Sequence, residues 1–401
     1  MKKFIFLLIV FAAFSSAFAQ LTESQVDMFF KRFTDRTDAL EQLFSTSFLK
    51  KVPARQLGYI RDDFENKYGK YVKVKLESGN NCKVFYEKAI FPCIIAFDHD
   101  GLVSTLWFGA PSFDNDKIEK IKQELNALQG VISICIRKDG RETYSMKKQL
   151  PLAIGSTFKL YILEALVQKI NDGELKWMDT VVLDNIHKSL PSGILQKWPA
   201  NQTVTLNTLA NLMISVSDNT AADILIDKIG RDYIEKLVPS TMIPFYKTKE
   251  MFALKLVMDS DYVKWFINAG IEIKRRELAK MDTMDISKVN VYNFISPRYL
   301  EIEWYTTTED LCKTIELLKG TPALSINTGL VDKKDWYYVA FKGGSEPGVL
   351  NYTYLLQKKD TSPIYSLSAT INDVQHVVDA DHEFTFLIKR IIDILEKNSL
   401  R

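Results

Sequence analysis

The chain is poor in the side chains that most often carry metals or redox chemistry. Its 401 residues include only four cysteines and four histidines. It has no Cys-x-x-Cys pair, no His-Glu-x-x-His cluster and no glycine loop with phosphate-binding spacing. The sequence therefore predicts a protein that works without a metal or a cofactor.

Excess charge is also nearly absent. The 52 Lys and Arg against 50 Asp and Glu give a net charge of +2, and Lys2 and Lys3 at the extreme N-terminus account for two of the positive charges. Nucleic acids and anionic membranes are bound by strongly basic surfaces, which a nearly neutral chain lacks. We therefore expect no nucleic acid and no anionic membrane as partner.

Long apolar runs are missing beyond the N-terminus. The run from Phe4 to Phe14 is followed by Ala17-Phe18-Ala19, and this pattern predicts a signal peptide over residues 1–19 with cleavage before Gln20. A retained anchor is disfavoured because the run is too short to span a bilayer comfortably. The mature protein is predicted to be secreted into the periplasm, with no stable membrane span after signal removal.

Residues 20–112 have the pattern of a small α+β domain. Apolar residues recur at helical spacing over residues 20–62, and alternating segments follow. The predicted strands are Tyr71–Leu76, Lys83–Tyr86, Cys93–Phe97 and Leu102–Phe108. Cys82 and Cys93 fit either a cross-strand disulfide in an oxidising compartment or two buried free thiols.

Residues 113–401 predict a second α+β domain, with strands near both ends and helices between. The helical middle covers about residues 156–320, and its charged stretch from Asp259 to Asn293 resembles an insertion or a cap near the site. The natural assembly is one antiparallel sheet, built from both ends and packed on a helical half. The other predicted elements are the strands Val131–Arg137, Thr143–Lys147, Trp336–Phe341, Leu350–Gln357 and Ile364–Ile371, and an amphipathic helix His382–Lys397.

No histidine stands in a recognisable catalytic setting, and no Gly-x-Ser-x-Gly elbow occurs. A serine can instead be activated by a lysine one helical turn further on, in a Ser-x-x-Lys pattern. The pattern occurs at Ser47, Ser145 and Ser156. Ser145 falls in a predicted strand, where positions i and i+3 point to opposite faces. Ser156 opens a strong helix, and Lys159 lies on the same face.

Two further motifs follow Ser156 in the chain. Ser217-Asp218-Asn219 stands between two helical segments, and Lys342-Gly343-Gly344-Ser345 stands at the end of a predicted strand. Taken singly, these motifs fit a helix cap and a glycine turn, and Ser156 alone fits a cap. Together and in this order they point to a serine nucleophile activated by a lysine.

From about Phe113 onward, the chain resembles a class A β-lactamase-like serine hydrolase of the penicillin-binding superfamily. The whole layout is similar to a subgroup in which an NTF2-like (steroid-isomerase-like) α+β domain comes first, as in a protein of the clavulanic-acid gene cluster and in mycobacterial lipoprotein relatives. The segments that carry the resemblance are Phe44–Val52, Ile154–Leu160, Ser217–Asp223, Thr248–Phe252 and Phe341–Gly348.

The resemblance implies a catalytic role for three side chains. Ser156 attacks a carbonyl to form an acyl-enzyme, Lys159 takes its proton, and Ser217 relays a proton to the leaving group. The backbone N–H groups of Ser156 and Ser345 form the oxyanion hole, an interaction often worth several kcal/mol.

The resemblance also implies a substrate-binding set. Asn219 holds the substrate amide and bonds Lys159, while Lys342 and Ser345, with Gly344 of the same motif, receive the substrate carboxylate. The implied function is hydrolysis of a small-molecule substrate, a β-lactam or a related amide or ester. The alternatives are a penicillin-binding D,D-peptidase or esterase, and a non-hydrolytic sensor of β-lactams or cell-wall fragments.

One departure from the family pattern bears on the choice between these functions. Class A β-lactamases carry a Glu-x-x-Leu-Asn motif whose glutamate activates the deacylating water. No such motif lies between Asp223 and Tyr305. Glu250 is the nearest candidate, but its helical surroundings favour an ion-paired helix residue.

Overall fold

The computed structural model describes residues 21–36, 38–109, 111–113, 116–286, 289–290, 294–380 and 382–397. The predicted signal peptide lies outside these ranges. The chain divides into two compact units, one running to Glu124 and resuming at residue 381, the other spanning Leu125–Ala380. Among the described residues, no helix is long and apolar enough to cross a membrane.

The first unit places helices before a four-stranded antiparallel sheet in the order β1-β2-β3-β4, as predicted. The predicted helical region 20–62 is interrupted, because Arg36 adopts a left-handed φ of 58° after the first helix and Pro53 precedes the third. Its elements are α1 (Glu23–Asp35), α2 (Thr46–Leu49), α3 (Ala54–Tyr68), β1 (Tyr71–Ser78), β2 (Asn81–Tyr86), β3 (Ile90–Phe97), β4 (Val103–Phe108), α4 (Ile118–Ala127) and the C-terminal helix α13 (Glu383–Glu396).

Helix α13 forms as predicted, but it belongs to the first compact unit. Arg390 donates to Asp116 at 2.6 and 2.8 Å and to Glu124 at 2.7 and 3.0 Å. This paired guanidinium ties the last helix to the start of α4. The division at residue 113 rested on sequence pattern and stays a prediction.

The second unit has the predicted sheet, with both ends of the unit contributing strands. All five strands are antiparallel, in the order β11-β12-β13-β5-β6. Two short strand pairs, β7 with β10 and β8 with β9, were not predicted. The strands are β5 (Val131–Lys138), β6 (Arg141–Met146), β7 (Leu152–Ala153), β8 (Thr180–Val182), β9 (Thr203–Thr205), β10 (Tyr305–Thr306), β11 (Tyr338–Glu346), β12 (Val349–Gln357) and β13 (Ile364–Asn372).

The helical half of this unit lies between β6 and β11 in sequence, and its apolar faces form the larger core. Phe158 stacks on Trp304 at its centre, with ring centroids 3.6 Å apart. The helices are α5 (Lys159–Asn171), α6 (Leu206–Ser215), α7 (Asn219–Ile229), α8 (Arg231–Ile234), α9 (Thr248–Leu256), α10 (Ser260–Asn268), α11 (Ile271–Asp282) and α12 (Thr308–Leu317).

The predicted end of one strand was wrong. A strand ending at Phe341, followed by a glycine turn, was expected, but β11 continues to Glu346. Gly343 and Gly344 pair in register with Tyr352 and Asn351 of β12. The glycines therefore lie within a strand, where the absence of a side chain allows another backbone to approach closely.

All four cysteines are buried free thiols. Cys82 and Cys93 lie directly opposite each other across β2 and β3, and Cys312 donates to the carbonyl of Cys135 at 3.4 Å. Burial raises the pKa of Cys93 and of Cys312. Burial keeps reagents away from all four thiols, and the raised pKa values of Cys93 and Cys312 also disfavour the thiolate that such reagents need.

We therefore expect no fast reaction of the native, reduced protein with Ellman's reagent, and reaction of all four thiols after denaturation. Protein isolated without reductant should lose two of those thiols if Cys82 and Cys93 pair in the cell. A thiol that reacts within seconds in the native protein would contradict the burial described above.

Candidate active site

Ser156 lies in a 3-10 turn, Gly155–Phe158, directly ahead of α5. Gly155 has a φ of +50°, which allows the chain to bend sharply there. The Thr157 hydroxyl donates to the Asn351 side chain at 2.8 Å, deep in the protein. The turn is thereby anchored to β12, and Ser156 is held at the edge of a cavity.

Lys159 is the centre of the polar site and is completely buried, with 0 % of its surface exposed. Its Nζ lies 3.2 Å from Ser156 Oγ and 3.1 Å from Ser217 Oγ. The Ser217 carbonyl and Asn219 Oδ1 are nearer, both at 2.6 Å, and can only accept. A neutral amine has two N–H donors for these two acceptors and one lone pair for a hydroxyl donor, so the arrangement suits a base.

The electrostatic surroundings of Lys159 also favour the neutral amine. Burial lowers the pKa of Lys159 well below its usual value, and the nearby charge of Lys342 lowers it further. Burial also lowers the pKa of Lys342, to about 7. The two lysines face the same Ser217 hydroxyl, and burial shifts both toward the neutral amine.

The Ser217-Asp218-Asn219 segment joins α6 to α7. Asp218 is the N-cap of α7 and accepts from Ala221 N at 2.9 Å. Ser217 has a φ of 55°, a left-handed conformation that costs a serine energy. The capping role expected of this motif thus falls to Asp218, while Ser217 and Asn219 both face Lys159.

Strand β11 completes the site. Lys342 Nζ lies 3.1 Å from Ser217 Oγ, the hydroxyl that Lys159 also contacts. A Cβ added to Gly344 would lie 2.7 Å from Ser156 N, and one added to Gly155 would lie 3.1 Å from Ser345 N. The Ser156 turn and β11 therefore meet backbone to backbone, at the place predicted for the oxyanion hole.

The structure thus brings together all the predicted site residues of the second unit. A cavity of about 310 Å³ is lined by five of them, Ser156, Ser217, Asn219, Gly344 and Ser345, and Lys159 and Lys342 contact Ser217. Its polar lining includes Ser156, Ser192, Ser217, Asn219, Ser345 and Glu346, and its apolar walls include Phe158, Met251, Phe252, Trp304, Leu350 and Tyr352. Within the described ranges, no group of three or more His, Cys, Asp or Glu side chains could hold a metal ion.

Sequence reasoning missed Ser192. Its hydroxyl lies 2.7 Å from the Ser217 carbonyl and 3.0 Å from Asn219 Oδ1, the two acceptors that also face Lys159. Asn219 Nδ2 donates to Leu190 O at 2.7 Å, so both ends of that amide are engaged within the protein. The only signal for this loop in the sequence was its Pro-Ser-Gly composition, which indicates a turn and no chemistry.

Glu250 does not reach the cavity. It lies in the first turn of α9 with 1 % of its surface exposed, pairs with Arg231, and accepts from Lys247 N at 2.7 Å. It is therefore an ion-paired helix residue, as expected. The face of α9 that lines the cavity carries Thr248, Met251 and Phe252.

The charged stretch expected to form an insertion or cap is helical where it is described, in α10 and α11. In this stretch, the Asp282 carboxylate accepts a hydrogen bond from Lys247 Nζ at 2.6 Å, and Lys247 directly precedes α9. The end of the predicted stretch includes residues outside the described ranges. No residue of 259–286 lines the cavity, so this segment lies behind the α9 wall.

Removal of the Lys342 charge should move the pH dependence of Ser156 acylation. A base must be deprotonated, so the rate rises with pH through the pKa of Lys159, which the Lys342 charge lowers. The Lys342→Gln variant should therefore have its acidic limb at a higher pH than wild type, while Lys264→Gln, on exposed α10, should not. Pre-steady-state acylation rates at a series of pH values measure this, and an unmoved limb would contradict the coupling.

Comparison with known proteins gives both a family match and a fold. Residues 116–298 match the model described as the Beta-lactamase enzyme family. This range includes Ser156, Lys159, Ser217 and Asn219, and ends before Lys342. No curated protein matches the chain.

Several solved structures are similar to this chain at low sequence identity. The β-lactamase from Sphaerobacter thermophilus DSM 20745 is 17 % identical, with 71 % of this chain and 99 % of that chain covered and a TM-score of 0.50. A β-lactamase from Xanthomonas campestris pv. campestris str. ATCC 33913 is 16 % identical over 70 % and 96 % of the two chains, with a TM-score of 0.47. A structure titled PBP-A is 14 % identical over 72 % and 100 %, with a TM-score of 0.46. Residues 116–298 thus match the Beta-lactamase enzyme family, and the unit that holds the candidate site has a β-lactamase-like fold.

Proposed function

We propose that the protein is a serine hydrolase that forms an acyl-enzyme on Ser156 and acts on a β-lactam or a related amide or ester. The observation that carries the proposal is the position of Lys159, buried and 3.2 Å from Ser156 Oγ, with two acceptor-only partners fixing its N–H groups. A merely structural lysine would sit opposite a carboxylate, and this one faces hydroxyl and carbonyl oxygens.

The proposed reaction follows from these contacts. Lys159 takes the hydroxyl proton of Ser156 as Oγ bonds to the substrate carbonyl carbon, and the backbone N–H groups of Ser156 and Ser345 bind the developing oxyanion. Ser217 Oγ lies 3.1 Å from both lysine amines, so it can pass the proton from Lys159 to the leaving nitrogen or oxygen. The scissile bond then breaks and the acyl group stays on Ser156.

Substrate binding is assigned to β11 and the cavity walls. Lys342 and Ser345, with Gly344 between them, offer a charge and a hydroxyl to a substrate carboxylate. The aromatic walls suit an apolar acyl group. Because both ends of the Asn219 amide have protein partners, its contribution includes holding Lys159 in place.

A second candidate function has one observation in its favour. Glu250 is turned away from the cavity toward Arg231, so α9 supplies no carboxylate for deacylation. A protein that is acylated but releases product slowly would act as a D,D-peptidase or esterase, or as a non-hydrolytic sensor of β-lactams or cell-wall fragments.

A substrate panel separates these candidates. Turnover of a chromogenic cephalosporin, a D-Ala-D-Ala peptide and p-nitrophenyl acetate would be measured for wild type and Ser156→Ala. Fast cephalosporin turnover that requires Ser156 supports a β-lactamase, and turnover only of the peptide or the ester supports the alternative enzyme. Equal rates for wild type and Ser156→Ala on every substrate would contradict a serine hydrolase.

The location of the protein and the nature of its first unit are also proposals. We infer secretion to the periplasm from the signal pattern of residues 1–19, and an NTF2-like domain over residues 20–112 from the helix-then-sheet order. N-terminal sequencing of the protein from a periplasmic fraction should begin at Gln20, and a chain beginning at Met1 would contradict cleavage.

A further inference from the structure

A second buried charged cluster borders the active-site cavity. Lys255, on α9, pairs with Glu303 and with Glu346, and its Nζ is 2.7 Å from Glu346 Oε2. Lys255 and Glu303 are 1 % and 2 % exposed. Only Glu346 of the three lines the cavity that holds Ser156.

The composition of this cluster is unusual for a structural ion pair. One lysine needs one carboxylate, and a second buried carboxylate adds desolvation cost without another charge to balance it. Among the residues that the structure describes, Oε2 of Glu303 is buried without a hydrogen-bond partner, and the Glu346 carboxylate lies beside Glu303. A proton held between the two carboxyl groups would satisfy both and leave one negative charge for Lys255.

The acid–base properties agree with this distribution. Burial raises the pKa of Glu303 well above its usual range, and the negative charge of Glu346 raises it further. Burial alone would lower the pKa of Lys255, but Glu303 and Glu346 together raise it above its usual value. Within the cluster, burial and the neighbouring carboxylate therefore favour a proton on Glu303, and the two carboxyl groups favour the charged form of Lys255.

Strand geometry brings Glu346 to the reacting side of β11. Side chains at alternate positions share a face, so Lys342, Gly344 and Glu346 point the same way. Gly344 faces the backbone of Ser156, and Lys342 on one side of it reaches Ser217. Glu346 lies on the other side, about 7 Å along the strand from Gly344. Lys342 and Glu346 thus lie on either side of Gly344 along the strand, and Gly344 faces the nucleophile turn.

We propose that Glu346 is the catalytic base that activates the deacylating water, and that Lys255 and Glu303 are positioning residues that hold its carboxylate in place. The inference rests on the proposed acyl-enzyme. A water oxygen bonds to the acyl carbonyl carbon as Glu346 takes one water proton. The bond from that carbon to Ser156 Oγ then breaks, and the proton passes from Glu346 to Oγ. The products are a free carboxylic acid and the Ser156 hydroxyl.

The test separates acylation from deacylation. Protein is mixed with benzylpenicillin, free penicillin is removed, and the Ser156 adduct is followed by intact mass. For Glu346→Gln we expect adduct formation close to the wild-type rate and adduct decay about 100-fold slower, the usual scale of general-base catalysis. The matched control is Glu250→Gln, which removes a buried carboxylate of α9 that does not line the cavity and should leave decay unchanged.

A folding defect is separated from a catalytic one by a second variant. Glu346→Gln leaves Lys255 short of one partner, whereas Lys255→Met combined with Glu346→Gln removes both charges and is better tolerated. If the double variant also accumulates adduct, the base assignment is supported. Wild-type decay in Glu346→Gln, or a wild-type adduct that never decays, would overturn the assignment while leaving the acyl-enzyme intact. Absence of any Ser156 adduct in wild type would overturn the proposed function and this inference together.

Discussion

Substitution of Lys159 by Met is expected to lower the rate of Ser156 acylation by about 1,000-fold, because it removes the amine that contacts the Ser156 hydroxyl while keeping a side chain of similar length. The fold should survive. Lys159 is buried with a lowered pKa, so an apolar replacement strands no opposite charge. Ser192 continues to face the two acceptors that Lys159 leaves behind. The rate of adduct formation with a fluorescent penicillin measures the effect.

The control for this substitution is Lys264→Met. Lys264 lies on α10 with 69 % of its side chain exposed, and its nearest partner, Asp261, is 3.8 Å away. This variant should acylate at the wild-type rate, since exposed pairs of this kind contribute little. If Lys159→Met acylates as fast as Lys264→Met, a different group activates Ser156.

The second large effect is expected for Gly344→Ala. The added methyl group would lie 2.1 Å from Ile154 O and 2.7 Å from Ser156 N, positions already occupied by backbone that cannot move independently. The strand and the nucleophile turn must separate, so both the oxyanion donors and Ser156 are displaced. We expect acylation to fall about 100-fold, as for an ångström-scale misplacement of reacting groups. The free energy of unfolding should fall by about 1–3 kcal/mol.

Gly270→Ala is the control for the glycine substitution. An added Cβ at Gly270 meets no atom within 4 Å, and its φ of −67° suits alanine. Its acylation rate should match wild type, and its free energy of unfolding should fall by no more than about 1 kcal/mol, because Gly270 is the N-cap of α11. A Gly344→Ala protein with wild-type values for both quantities would contradict the close contact between β11 and the Ser156 turn.

The sequence predicted the polar centre well because its chemistry depends on short spacings. Ser156 and Lys159 are three residues apart at a helix start, and Ser145 was set aside because a strand was predicted there, which β6 confirms. The antiparallel sheet was predictable from alternation and from continuous apolar runs near both ends of the unit. These signals come from residues that are close together in the chain, and the structure contains the helix start and the antiparallel strands that they predict.

Contacts between distant segments were not predictable in this way. Asn351 holds the nucleophile turn through Thr157, and Ser192 faces Asn219, yet each residue lies in a stretch with no motif. Glu346 was given no role from the sequence, where the strand was predicted to end at Phe341. Because Gly343 and Gly344 pair with β12, the strand β11 continues past them, and Glu346 lines the cavity.

The sequence also did not predict to which compact unit the last helix belongs. Its apolar spacing predicts an amphipathic helix, and α13 is one. Its neighbours are set in part by Arg390, whose partners Asp116 and Glu124 lie at the end of the first segment of the same compact unit. Periodicity specifies that a helix buries one face, and it does not specify its neighbour.

The most direct test of the account is peptide mapping after incubation of the purified mature protein with a fluorescent penicillin. The account predicts a single covalent adduct, on the peptide that contains Ser156, and no labelling of Ser156→Ala. An unmodified Ser156 in the wild-type protein, or an adduct on another residue that persists in Ser156→Ala, would contradict it.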